Sequence, residues 1–282
     1  MFSFGEKLWG NAAFSFSQHK IMSATKPLIL ISNDDGITSV GIRTLVEVMS
    51  EIGEVVVVAP DSPQSGMGHA ITIGNTLRLD RSDIFSHLGV EAYECSGTPA
   101  DCVKLAKHYV LRDRKPDLVV SGVNHGSNSS VSVLYSGTMS AAIEAALEGL
   151  PAIGFSLCDY DHNADFSHTK AYIKNIVLQA LSNGIPEGIT LNVNFPPAAA
   201  GQIKGVKICR QARARWQEEF DQRKDPRGRQ YFWLIGSFVN MEPEGVTDTD
   251  EWALQNGYVS IVPCTFDLTA YKAMQTIGAW SL

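Results

Sequence analysis

The stretch Leu28-Ile29-Leu30-Ile31-Ser32-Asn33-Asp34-Asp35-Gly36 runs a continuous apolar segment straight into two adjacent carboxylates and a glycine. An apolar run without polar alternation is the pattern of a strand covered on both faces. Residues 55–59 (VVVVA), 118–120 (LVV) and 152–157 (AIGFSL) share that texture. Helical patterns fall between the runs. Ile42, Leu45, Val46 and Met49 recur at helical spacing, and Gly53 follows as a stop. Over 98–113, Thr98 stands as N-cap with Pro99 and Asp101 in the first turn, ahead of a stripe of Val103, Ala106 and Val110. Over 137–148, Ala141, Ala142, Ala145 and Ala146 permit close packing before Gly149 and Pro151 end the helix. A fourth helix is expected over 168–182, closed by Asn183-Gly184. Strands alternating with helices predict an α/β fold with a doubly wound, mostly parallel sheet, extending to about residue 195.

Beyond Phe195-Pro196-Pro197 the texture changes. Residues 204–229 hold nine Lys or Arg against four acidic residues, in a chain whose overall formal charge is −7. Alternating and aromatic segments at 231–239 and 258–262 predict antiparallel strands or a hairpin arm. The first 25 residues lack the apolar core of a signal peptide and are set aside as an extension expected to be disordered.

Composition narrows the function classes. With 44% hydrophobic and 19% charged residues, the 282-residue chain can bury a substantial core. No apolar run reaches the roughly 18–20 residues of a membrane span, so no membrane association is expected. The acidic balance argues against binding a nucleic-acid polymer, which rests on phosphate neutralisation by Lys and Arg. Five scattered cysteines without a C-x-x-C pair exclude a disulfide framework and a thiolate zinc site, and fit a reducing cytoplasm.

In open α/β sheets, ligands bind outside the carboxyl ends of the strands, so the segments following the apolar runs carry the chemistry. Asp34 and Asp35 follow the first run. Two adjacent carboxylates leaving a buried strand repel each other and lose hydration, and a divalent cation relieves both costs. Taken alone, the pair reads equally well as a turn cap beside a solvated Asp. The second run leads into Pro60-Asp61-Ser62-Pro63-Gln64-Ser65-Gly66, a loop of hydroxyls and glycine. The third leads into Ser121-Gly122-Val123-Asn124-His125-Gly126-Ser127-Asn128, dense in glycine and neutral oxygen donors. Tyr135-Ser136-Gly137-Thr138 then opens the alanine-rich helix, offering N–H groups, hydroxyls and positive dipole to an anion. Carboxylates with hydroxyl and amide oxygens suit a hard cation, Mg²⁺ or Mn²⁺. Such a site facing an anion-binding helix end is suited to hydrolysing phosphate esters.

The segments SNDDG (32–36), VAPDSPQSG (58–66), SGTPADCVKLA (96–106), PDLVVSGVNHGSN (116–128) and YSGT (135–138) together resemble the SurE survival-protein family. Asp225-Pro226-Arg227-Gly228, Asn256-Gly257-Tyr258-Val259-Ser260 and Asp267-Leu268-Thr269-Ala270 continue the likeness. The resemblance implies a metal-dependent hydrolase of nucleoside 5′- and 3′-monophosphates, with polyphosphate trimming in some members. It implies one divalent cation per subunit on Asp34, Asp35, Ser65 and Asn124, with Asp34 and Asp35 also catalytic. It places phosphate binding on Asn128, Ser136, Gly137 and Thr138. It further implies a Rossmann-like catalytic domain over 26–195, and over 196–282 a hairpin and oligomerisation arm exchanged in dimers or tetramers. Tyr271 stands where some members carry His, so no His role transfers to that position.

Two rivals remain at this stage. A haloacid-dehalogenase-like phosphatase also places aspartates after its first strand, but in an alternating D-x-D. A non-catalytic nucleotide-binding regulatory module would hold ligand and metal without turnover. A dinucleotide-binding protein is disfavoured, because no G-x-G-x-x-G opens the first helix.

Overall fold

The computed structural model describes residues 26–161, 163–198 and 201–281. The extension expected at 1–25 lies outside them. In chain order the elements are β1 (Leu28–Ser32), α1 (Val40–Ser50), β2 (Glu54–Pro60), β3 (Leu79–Ser82), β4 (Glu91–Cys95), α2 (Pro99–Leu105), β5 (Leu118–His125) and α3 (Gly137–Leu147). Then follow β6 (Ala152–Leu157), α4 (Lys170–Asn183), β7 (Ile189–Phe195), β8 (Val206–Ile208), β9 (Ala214–Lys224), β10 (Gln230–Asn240), α5 (Asp250–Gln255), β11 (Val259–Thr265) and α6 (Tyr271–Gly278).

Nine strands form one sheet in the order β3-β4-β2-β1-β5-β6-β7-β11-β8. Strands β4, β2, β1, β5, β6 and β7 are mutually parallel, as the unalternating runs require. All five residues of β1 are buried, so the strand is covered on both faces. On one face Ile29 and Ile31 meet Leu45 and Met49 of α1 and Ile173 and Val177 of α4. On the other, Leu30 and Val119 pack with Cys102 and Val103 of α2 and Ala141, Ala142 and Ala145 of α3. Each aliphatic side chain buried in this way contributes roughly 1.5–3 kcal/mol relative to exposure.

The sheet does not stop where the sequence changes texture at residue 195. Strand β11 lies antiparallel to β7, and β8 pairs with β11, so elements beyond 195 complete the same sheet. The 258–262 segment is therefore a sheet strand rather than part of a hairpin arm. Val259, Ser260, Ile261 and Val262 are buried there, which supplies the apolar partner that β7 needs on its far edge. The hairpin is instead β9 with β10, paired in register from Ala214↔Asn240 to Lys224↔Gln230. Trp216, Phe220, Phe232, Trp233 and Leu234 are exposed on it.

The helix expected over 98–113 divides. Its α-helical part ends at Leu105, and a wider π-type turn carries Ala106–Leu111. Buried positions at Cys102, Val103 and Ala106 are followed by one at Leu111, five residues on, and the wider turn keeps that side chain against the core. Strand β5 also runs longer than its apolar run. Asn124 and His125 pair with Ser156 and Leu157 of β6 across a register irregularity after Ser121, so the expected loop is strand as far as His125.

The start of α2 matches its sequence signal: Thr98 and Asp101 form a reciprocal capping box with Pro99 in the first turn. The same groups hold the segment after β2. Thr98 Oγ1 donates to the Ala70 carbonyl at 2.7 Å, and the Asp101 carboxylate accepts from the Thr72 N–H at 3.0 Å and from its hydroxyl at 2.6 Å. Thr98→Ala is expected to cost about 1–2 kcal/mol. Urea unfolding would show this as a lower midpoint with an unchanged slope.

Candidate active site

Asp34 and Asp35 leave the carboxyl end of β1 on a turn shaped by Asn33. Its side-chain N–H groups donate to the Gly36 carbonyl at 2.9 Å and to Ser39 Oγ at 3.0 Å. Ser39 is in turn the N-cap of α1. Asn33 Oδ1 is buried and has no partner among the described residues.

The two carboxylates point to different neighbours. Asp34, only 4% exposed, accepts from the Thr138 hydroxyl at 2.5 Å. Asp35, half-buried, accepts from the His125 N–H at 3.0 Å. Together they tie the end of β1 to the first turn of α3 and to the end of β5. Gly137 makes the first contact possible, because a Cβ there would stand 2.5 Å from the Asp34 Cβ. The loop after β2 joins through the Gln64 N–H, which donates to the Asp34 carbonyl at 2.7 Å, and the Gly68 N–H, which donates to the Tyr135 carbonyl at 3.2 Å. Ser65 lies exposed between these two tethers.

The helix end beside Asp34 is α3. Ser136 Oγ caps it by accepting from the Met139 N–H at 2.9 Å, while Gly137 and Thr138 are buried in its first turn. Asn124 is buried, and its amide N–H donates to the Gly126 carbonyl at 2.7 Å. Asn128 sits slightly farther along, with its amide donating to Ser156 Oγ at 2.8 Å. The positions that the sequence singles out thus gather at one edge of the sheet, where β1, β2, β5 and β6 end.

Four supports of this loop escape the sequence reading. Asn194 Oδ1 accepts from the Asn128 N–H at 2.9 Å, and Asn192 donates to the Asn128 carbonyl at 2.8 Å. Asp250 Oδ2 accepts from the Ser130 N–H at 2.7 Å, and Glu251 accepts from the Ser129 hydroxyl at 2.5 Å. The alternation Asn192-x-Asn194 puts two amides on one face of a buried strand, a signal that was available. Nothing local distinguishes Asp250 and Glu251 from an ordinary acidic first turn.

Burial, reinforced by the charge on Asp35, raises the Asp34 carboxyl from its ordinary value to about 6, against the Thr138 hydrogen bond. Asp35 is also raised, chiefly by burial. Neither carboxylate pairs with Lys or Arg among the described residues. Nor do those residues contain a group of three or more His, Cys, Asp or Glu able to hold a metal. The pair thus has no Lys or Arg partner; its hydrogen-bond donors are the Thr138 hydroxyl and the His125 N–H, and the His125 side chain acts favourably on the Asp35 charge. That donor set fits a hard divalent cation completed by amide or hydroxyl oxygens and water, and does not fit thiolate-bound zinc.

A mostly parallel α/β sheet, with paired carboxylates at one strand end facing a helix N-terminus, defines a phosphate-handling class of site. Comparison with known proteins narrows this. The Survival protein SurE family matches residues 29–218. A protein of Cytophaga hutchinsonii named 5′-nucleotidase SurE is 74% identical over 250 residues, covering 89% of this chain and 95% of its own. One of the same name from Flavobacterium psychrophilum is 61% identical over 258 residues, covering 92% and 99%. The crystal structure of the SurE protein from Aquifex aeolicus superposes with a TM-score of 0.76 at 40% identity, covering 89% of this chain and 98% of that one. The chain belongs to the SurE family.

The raised Asp34 carboxyl sets a pH dependence for the metal-free protein. Between its unfolded value near 4 and its folded value of about 6, the folded state binds the extra proton, so stability falls as pH rises through this window. Above it, the charged carboxylate costs on the order of 3 kcal/mol. Asp34→Asn removes that cost while keeping an acceptor for Thr138. In EDTA the variant is expected to melt above wild type at pH 7.5 and to lose that advantage at pH 4. Equal melting temperatures at pH 7.5 would contradict the assignment.

Proposed function

We propose that this protein is a metal-dependent phosphohydrolase that removes phosphate from nucleoside 5′- and 3′-monophosphates. The observation that carries the reading is the unneutralised Asp34–Asp35 pair held against the N-terminus of α3 by the Thr138 hydroxyl. The names of the relatives supply the substrate class. Asp34, Asp35, Ser65 and Asn124 are the residues that would hold a single Mg²⁺ or Mn²⁺. When bound, such a cation supplies Lewis acidity at the phosphoryl oxygens and a more acidic water.

The chain's own groups do the rest. Ser136, Gly137 and Thr138 present the positive end of α3 to the phosphate, and Asn128 holds it from the β5 side. Asp34 orients the attacking water. The water oxygen bonds to phosphorus as the ester P–O bond breaks, and the proton that the water gives up ends on the leaving alkoxide, so that one water is consumed and an alcohol and inorganic phosphate are released. A direct attack by Asp34, giving an aspartyl-phosphate, is the alternative that covalent trapping would reveal.

The proposal extends to terminal phosphates of short polyphosphate, to a cytoplasmic setting and to self-association as a dimer or tetramer. The exposed aromatic side chains of the β9–β10 hairpin support the last. Five free cysteines, with no disulfide among the described residues, support the second.

Phosphate release from 5′-AMP, 3′-AMP and short polyphosphate is expected with Mn²⁺ or Mg²⁺ and none in EDTA. Asp34→Asn is expected to lower kcat for 5′-AMP by roughly a thousandfold. Binding of AMP without release under any metal condition would favour a regulatory nucleotide-binding module instead.

A further inference from the structure

We propose that Tyr160 forms the nucleobase-stacking face of the site, so that bound ligands are read as nucleotides rather than as simple phosphate esters. This rests on the nucleotidase reading given above. Tyr160 follows the carboxyl end of β6, the neighbour of β5, and so lies on the same edge of the sheet as the paired carboxylates. The chain of contact is short. Asp35 holds the His125 N–H, Gly126 comes next, and the Tyr160 ring rests on Gly126.

The ring is fixed in two places. The Ser127 N–H donates to the Tyr160 hydroxyl at 3.3 Å. A Cβ on Gly126, whose φ is +111°, would stand 2.7 Å from the ring carbon Cε1, so only glycine leaves room for the ring there. Despite these anchors, Tyr160 is 70% exposed. An aromatic ring anchored at its hydroxyl and against Gly126 but left open to water gains little from burial. Its fixed π-face is suited to a flat ligand, and every base has one. Stacking of a base on an aromatic side chain is worth roughly five- to hundredfold in affinity and tolerates any base. The Ser127 and Gly126 anchors lie on the segment that leads from Asn124 near the end of β5 to Asn128. Base and phosphate would therefore be held by one rigid segment, the base on its outer side and the phosphate on its inner side.

Two measurements separate this proposal from the reading it rests on. Equilibrium binding of 5′-AMP and of ribose 5-phosphate, which lacks the base, is measured in EDTA for wild type, Tyr160→Ala, Tyr160→Trp and Tyr135→Ala. Wild type is expected to prefer 5′-AMP by about tenfold. Tyr160→Ala is expected to bring that ratio close to one without changing ribose 5-phosphate affinity, and Tyr160→Trp to keep it. Near-equal binding in wild type, a ratio that survives Tyr160→Ala, or one lost only in Tyr135→Ala would overturn the proposal. Phosphate release by wild type with Mg²⁺ or Mn²⁺ is measured separately. Its absence, with the tenfold preference intact and sensitive to Tyr160, would sink the nucleotidase reading and leave the stacking face standing.

Discussion

Two carboxyl groups on consecutive residues, set at the end of a strand covered on both faces, create an electrostatic strain that the surrounding structure answers. Burial works against the charged forms of both Asp34 and Asp35, and at Asp34 the charge on Asp35 adds to it. The Thr138 hydroxyl and the His125 N–H each donate to one of them, and the backbone bond from Gln64 fixes the turn. Those three donors come from three different strand–loop units. These hydrogen bonds leave the charge of the pair in place but pull α3, β5 and the loop after β2 together. The remaining negative charge is of the kind that oxygen-ligated hard cations compensate, so the same arrangement that organises the site also sets its electrostatics.

The parallel centre of the fold is legible because its physics is local. Runs such as 55–59 and 152–157 are too apolar to be anything but doubly covered strands, and Thr98-Pro99-Ala100-Asp101 carries its cap in the sequence. The edges are not legible in this way. Strand β4 reads EAYEC, and its place is fixed by β2 and β3 on either side rather than by its own pattern. Strand β11 resembles part of the tail in composition, and only its pairing with β7 assigns it to the main sheet. Likewise β5 looks as if it ends at Val120, because polar residues at a buried sheet end do not announce burial.

The candidate site divides along the same line. Asp34, Asp35, Asn124, Asn128 and the residues of Ser136-Gly137-Thr138 stand out by residue type after an apolar run, and the fold does gather them at one edge. Their supports do not stand out. Asn192, Asn194 and Asp250 hold backbone groups of residues 128 and 130, and Glu251 holds the Ser129 hydroxyl, all from 60 or more positions away, and such contacts have no sequence period. The glycines show the reverse case. Gly137 stands out in the sequence as part of a helix start, yet only the structure shows that its missing side chain is what lets Asp34 approach the helix end.

The bond between Ser130 and Asp250 has a bearing on how the protein is made. Ser130 donates its N–H to Asp250, and its hydroxyl to the Ala212 carbonyl, while Ala212 returns its own N–H to Asp250. A chain emerging from the ribosome presents the carboxylates, the cap of α3 and the Asn128 loop long before Asp250 exists. Through that interval the early strands can pair, but the loop has no acceptor for Ser130, and β7 has no outer neighbour until β11 arrives. The last seventy residues thus act as a closing stitch. Synthesis must nearly finish before the 128–130 segment takes its final shape.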